Sequence, residues 1–170
     1  MVDPKDPDVA ERALGPALDF LRELWRVNHA LERLSARMER ELGITAQQRL
    51  VLRCLAHRDK ISAGGLAELM HLDPGTVSAA LRRLEAKGLV RRTRPADDRR
   101  RVVVNLTARG RALAQPVRGT VEHAVAKLIE SLSVNEHEAT RRALTRLTML
   151  MDRERTPKSR ASTSRQQRKA

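Results

Sequence analysis

The chain has 170 residues, 41% of them hydrophobic and 32% charged, which suits one folded domain with its own core. It has no apolar run of the roughly 18 to 20 residues that a membrane span needs. The opening MVDPKDPDVAER is no apolar leader, so a cytoplasmic, nucleoid-associated protein is expected. A single cysteine, Cys54, excludes an intrachain disulfide framework.

The formal net charge of +13 is unevenly placed. Residues 72–118 carry a net +8 and residues 153–170 a net +6, whereas residues 1–71 sum to zero and 119–152 to −1. All the excess therefore lies in one central segment and one tail, the distribution of a polyanion-binding surface. Aromatics are nearly absent, Phe20 and Trp25 with no tyrosine. Single-stranded nucleic acid is usually bound by stacking bases on rings, so duplex DNA fits better.

In chain order, residues 1–8 read as a flexible N-terminus and residues 9–155 as one domain. From Val9 to Leu42 a single long helix is predicted. Ala17, Leu21, Leu24, Asn28, Leu31, Ser35, Met38 and Leu42 recur every three or four residues, and Gly43 stops it. A stripe this long covers a core or pairs with a second subunit's helix. Thr45 caps a helix over 46–58 with Leu50, Val51, Cys54 and Leu55 inward. Ser62 caps another over 63–70 with Leu66, Leu69 and Met70 inward. Asp73 as acceptor and Pro74 at the first helical position start a helix to Lys87, ended by Gly88. Two strands follow, 89–94 and 101–106, joined by a protruding loop. Val102, Val104 and Leu106 are expected on the packed face, and Arg91, Thr93, Arg101, Val103 and Asn105 on the other. Thr107 caps a helix over 108–131 that Pro116 should bend. Ser133 and Glu136 form a capping box for the last helix, to about Arg153, with Leu144, Leu147 and Met151 as its stripe. Residues 156–170 lack Leu, Ile, Val and Phe and read as a basic, disordered tail.

The fold class that emerges is mainly α with a small β-hairpin wing: a winged helix-turn-helix plus a helical region, which the family resemblance given below implies is the dimerisation region. The second helix of such a unit enters the major groove. At 100° per residue, Val77, Ala80, Leu81 and Leu84 share the inner side of helix 74–87, while Gly75, Thr76, Ser78, Ala79, Arg82 and Arg83 share the outer. Small residues allow close approach to base edges, and arginine meets phosphate or guanine acceptors. Ser62 joins these residues in the expected DNA-facing set.

The segments ITAQQRLVLRCL, GLAELMHLDPGTVSAALRRLEAKGLVRR, DDRRRVVVNLTARGRAL and LSVNEHEATRRAL resemble, in order and spacing, the MarR family of bacterial transcriptional regulators over residues 10–152. The resemblance implies a homodimer built on the first helix and the last two, binding a pseudo-palindromic duplex site, and usually a repressor released by a small molecule, metal or oxidant. It implies that Asp98 orients the wing, that Arg100 reaches the minor groove, and that Arg94 and Arg99 contact phosphate. It also implies an effector pocket, for which Trp25, Asn28 and His29 are the candidates. Trp25 packing a dimer core is the alternative.

No catalytic constellation is visible: there is no Gly-rich phosphate loop, nucleophile elbow or helical His pair with a carboxylate. The histidines 29, 57, 71, 123 and 137 contain no pair four apart, and no metal site or cofactor is expected. Cys54 lies on an apolar stripe without a resolving partner, which suits packing better than redox sensing. The same fold also serves a nucleoid-type architectural protein of low sequence specificity, an alternative to which the basic tail gives weight.

Overall fold

Local hydrogen bonds at the helix ends account for most of the elements. The computed structural model describes residues 15–58, 61–95 and 102–155. Helix α1 (Pro16–Leu42) starts after Gly15, whose φ of 90° is non-helical, with proline in its first turn. The described helix therefore begins later than the expected Val9, and residues 9–14 lie outside the described residues. Gly43, at φ 73°, ends it and donates its N–H to the Glu39 carbonyl, 3.0 Å. Helix α2 (Ala46–His57) opens on a full capping box. Thr45 Oγ1 accepts from Gln48 N–H (3.2 Å), and Gln48 Oε1 accepts from Thr45 N–H (3.3 Å). Ser62 Oγ accepts from Gly65 N–H at 3.1 Å to start α3 (Ala63–Met70).

Helix α4 (Pro74–Ala86) departs from expectation at its cap. The Asp73 side chain makes no capping hydrogen bond. Asp73 is exposed, so water solvates its carboxylate, and the proline plus the Val77 N–H to Asp73 carbonyl bond (3.2 Å) set the start. After Gly88, at φ 67°, strand β1 (Val90–Thr93) pairs antiparallel with β2 (Val103–Leu106), Val90 opposite Leu106 and Thr93 opposite Val103. On its other side β2 is bridged by Val104 N–H to the Ile61 carbonyl, 2.9 Å. The expected face assignment fails at two valines: Val103 is buried and Val102 exposed. Val102 precedes the paired segment, so strand alternation does not govern it.

Thr107 Oγ1 accepts from Gly110 N–H (3.1 Å) and donates to the Gly88 carbonyl (2.8 Å), starting α5 (Ala108–Leu113). The single bent helix expected over 108–131 is two helices, α5 and α6 (Val121–Ser131). Pro116 has no N–H to donate and its ring clashes with the preceding turn, and Gly119 takes φ 76°, so the chain breaks rather than bends. Helix α7 (Val134–Arg155) starts on the expected capping box. Glu136 N–H donates to Ser133 Oγ (3.3 Å), and Ser133 N–H donates to Glu136 Oε2 (2.8 Å).

The described chain divides into a unit ending at Val125 and another beginning at Ala126. The core lies in the first. Val51, Leu52 and Leu55 of α2, Leu66 and Ala67 of α3, and Val77, Ala80, Leu81 and Leu84 of α4 meet Leu89, Val90, Val104 and Leu106. Two residues expected inward are exposed: Leu50 and Leu69. Leu52 and Ala67, which were not expected inward, are buried instead. Only the C-terminal end of the α1 stripe is covered, at Met38. Leu18, Leu21, Trp25 and Leu31 are exposed, as in the second unit are Leu144, Met149, Leu150 and Met151. Among the described residues, no helix is long and apolar enough to cross a membrane.

Candidate nucleic-acid interface

Helices α3 and α4 form the helix-turn-helix, joined by a turn in which His71 takes the left-handed φ of 51°. The inner face of α4 is as expected: Val77, Ala80, Leu81 and Leu84 are all buried. Its outer face presents Gly75, Thr76, Arg82 and Arg83 to solvent, with Ser78 and Ala79 half-buried. No heavy atom lies within 4 Å of where a Cβ on Gly75 would stand, so the first turn of α4 is open to close approach. Ser62 is half-buried with its hydroxyl oxygen engaged at the α3 cap. A hydroxyl that accepts one bond still has a proton to donate.

From the same segment the hairpin carries exposed Arg91, Arg92 and Arg94. Asp98, Arg99 and Arg100 lie outside the described residues. One link had no sequence signal: Arg92 Nε stands 3.6 Å from Glu85 Oε2, tying β1 to α4 across the surface. Other cations near this face also serve the fold. Lys87 Nζ donates to the Gly43 carbonyl (2.5 Å), and Arg111 Nη1 to the Leu106 carbonyl (3.0 Å).

Away from this face, Trp25 and His29 are brought together on an open groove with Leu18, Leu21, Arg22 and Arg26. Every lining residue belongs to α1. Asn28 is not among them, and its Nδ2 donates to Glu32 Oε1 at 3.0 Å. The Cys54 thiol is half-buried against the core, and burial pushes its pKa above the ordinary cysteine value. Among the described residues, no three His, Cys, Asp or Glu side chains converge as a metal site would require.

Arg49 was also missed. Its side chain is fully buried in α2. Its Nε donates to Glu122 Oε1, its Nη1 to the Leu113 carbonyl, and its Nη2 to the Gln115 carbonyl at 2.6 Å. Four residues on, Arg53 Nη1 donates to the Ala114 carbonyl at 2.6 Å.

A buried-face helix-turn-helix followed by a cationic hairpin defines a winged helix-turn-helix DNA-binding protein. The MarR family model matches residues 44–102, which run from α2 through β1 and end before β2. The HTH-type transcriptional repressor Rv2887 of Mycobacterium tuberculosis (strain ATCC 25618 / H37Rv) is 31% identical over 124 residues, 73% of this chain and 89% of that protein. The uncharacterized HTH-type transcriptional regulator YdgJ of Bacillus subtilis (strain 168) is 29% identical over 118 residues, 69% of this chain and 70% of that one. Among solved structures, the S. aureus MepR–DNA complex aligns with a TM-score of 0.61 at 26% identity, covering 75% of this chain and 94% of MepR. The transcriptional regulator SlyA aligns with a TM-score of 0.64 at 25% identity, covering 80% and 96%. The chain belongs to the MarR family of winged helix-turn-helix transcriptional regulators, which are DNA-binding proteins and not enzymes.

Proposed function

We propose that the protein is a homodimeric, ligand-responsive repressor of a pseudo-palindromic duplex DNA site. The observation that carries the DNA-facing part is the outer face of α4. It is small at Gly75, Thr76, Ser78 and Ala79 and cationic at Arg82 and Arg83, beside a hairpin in the segment that holds a net +8. In this reading α4 lies in the major groove, with Arg82 and Arg83 at base edges or phosphate. Ser62, Arg94 and Arg99 contact phosphate. Arg100 enters the minor groove, aimed by Asp98.

The dimer is supported by the exposed apolar residues Leu18, Leu21 and Leu31 of α1, since a monomer gains nothing by exposing them to water. A second copy places two α4 helices about one turn of DNA apart, which makes the site two-fold. Repression is supported by the name of the M. tuberculosis relative. A small-molecule effector is supported by a MepR-like structure complexed with pseudoligands, 26% identical with a TM-score of 0.63. In this reading Trp25 and His29 are its contact residues, and Asn28, which does not line the groove, is the third candidate.

Footprinting the DNA upstream of the protein's own gene tests the reading. A protected two-fold site, bound at least a thousandfold more tightly than random duplex at physiological salt, is expected. A specific-to-random ratio near one would favour the architectural alternative, and no binding even at low salt would sink both.

A further inference from the structure

The α5–α6 connection, residues 114–120, is held by one buried cation. Arg49 reaches out of α2 and meets the last turn of α5 at the Leu113 carbonyl, the connection at the Gln115 carbonyl, and the first turn of α6 at Glu122. Arg53 adds the Ala114 carbonyl. Thr120 is buried and donates its hydroxyl to the Val117 carbonyl at 2.8 Å, so the connection is folded on itself as well.

A guanidinium with no exposed surface is a poor choice for stability alone, because an apolar side chain of similar volume fills such a space without the cost of desolvation. What it adds is geometry. A planar fork with partners on three successive pieces of chain permits few relative orientations of α2 and the start of α6, whereas apolar contacts slide. The negative C-terminal end of α5 faces the cation, which adds to the preference.

We infer that Arg49 and Glu122 are positioning residues for DNA recognition: they hold the start of α6 against α2, and through it the separation of the two α4 helices in the dimer. This rests on the homodimer proposed above. Arg49 touches no DNA; it acts through the helix it holds.

The test reads the separation itself. The full chain, with Cys54→Ala and a nitroxide on Ala86→Cys at the exposed end of α4, gives the distance between the two labels by pulsed electron–electron resonance. In this parent a single narrow distribution is expected. Adding Glu122→Ala should at least double its width, and so should Arg49→Met, which removes the charge together with its need for partners. Circular dichroism and thermal melting show that each variant is folded. Distributions as narrow as the parent's in both folded variants would overturn the inference. So would loss of fold in both, which assigns the pair to stability alone. If the parent shows no coupling between labels, the homodimer itself is wrong and the inference falls with it.

Discussion

The carbonyl oxygen of Leu89 occupies the space in which any other residue at Gly110 would carry its side chain. A Cβ built on Gly110 would stand 1.9 Å from that oxygen and 3.3 Å from Leu106 Cδ2. The obstacle is backbone at the start of the hairpin, and the same carbonyl accepts the Thr107 N–H at 3.0 Å. The wing is thus seated directly on α5.

Gly110→Ala should therefore cost about 3 kcal/mol, the upper end of the penalty for overpacking, even though alanine is the better helix former. For a chain of this size that is a fall of about 10 °C in Tm, read by thermal melting. A variant as stable as the parent would mean that α5 and the hairpin move apart freely.

Gly75→Ala offers the opposite case. Gly75 lies in a helix with open space where its Cβ would go, so the substitution should stabilise α4 by about 0.5 to 1 kcal/mol. If this surface meets base edges, the added methyl should weaken binding to the footprinted site roughly tenfold while raising Tm. Higher stability with unchanged affinity would move the DNA-facing surface elsewhere on α4.

Glu85→Gln releases Arg92 from its exposed partner. Such pairs contribute at most about 1 kcal/mol, so Tm should scarcely change. If Arg92 then turns to phosphate, affinity for random duplex should rise and log K against log salt should steepen by about 0.9. Weaker binding would instead show that Glu85 holds Arg92 in a useful place.

Cys54 should behave as a packing residue. Burial favours its neutral thiol and raises its pKa, so less thiolate is present at pH 7 than on an ordinary cysteine. Alkylation by iodoacetamide should be at least tenfold slower in the folded protein than in urea, and oxidant should leave DNA binding unchanged. Rapid alkylation of the folded protein would reinstate a redox role.

Much of this was legible because it is local. Thr45, Ser62, Thr107 and Ser133 act within three residues of themselves, and the inner face of α4 follows from spacing alone. The errors arose where a remote partner decides. A helical pattern resumed after Pro116, which concealed a full break. Val103 reads as an outward residue, and its burial depends on what the sheet packs against. Arg49 and Arg53 lie four apart, flanking the buried Leu52, which placed cations beside an apolar face; their acceptors, at Leu113 through Glu122, are too distant in sequence to have been foreseen. The arginines of the outer α4 face were found through composition and angle, whereas the Arg92–Glu85 tie needs the relative placement of strand and helix.

The single hydrogen bond from Val104 to Ile61 has a consequence for how the chain assembles. Ile61 precedes the helix-turn-helix and Val104 follows it, so the bridge closes a loop that contains α3, α4 and β1. That closure is entropically costly until the enclosed helices have folded, which places the finished wing late in the order of folding. It also pairs the middle of β2 on both sides, which closes that edge at Val104, whereas among the described residues no strand lies beside the outer side of β1.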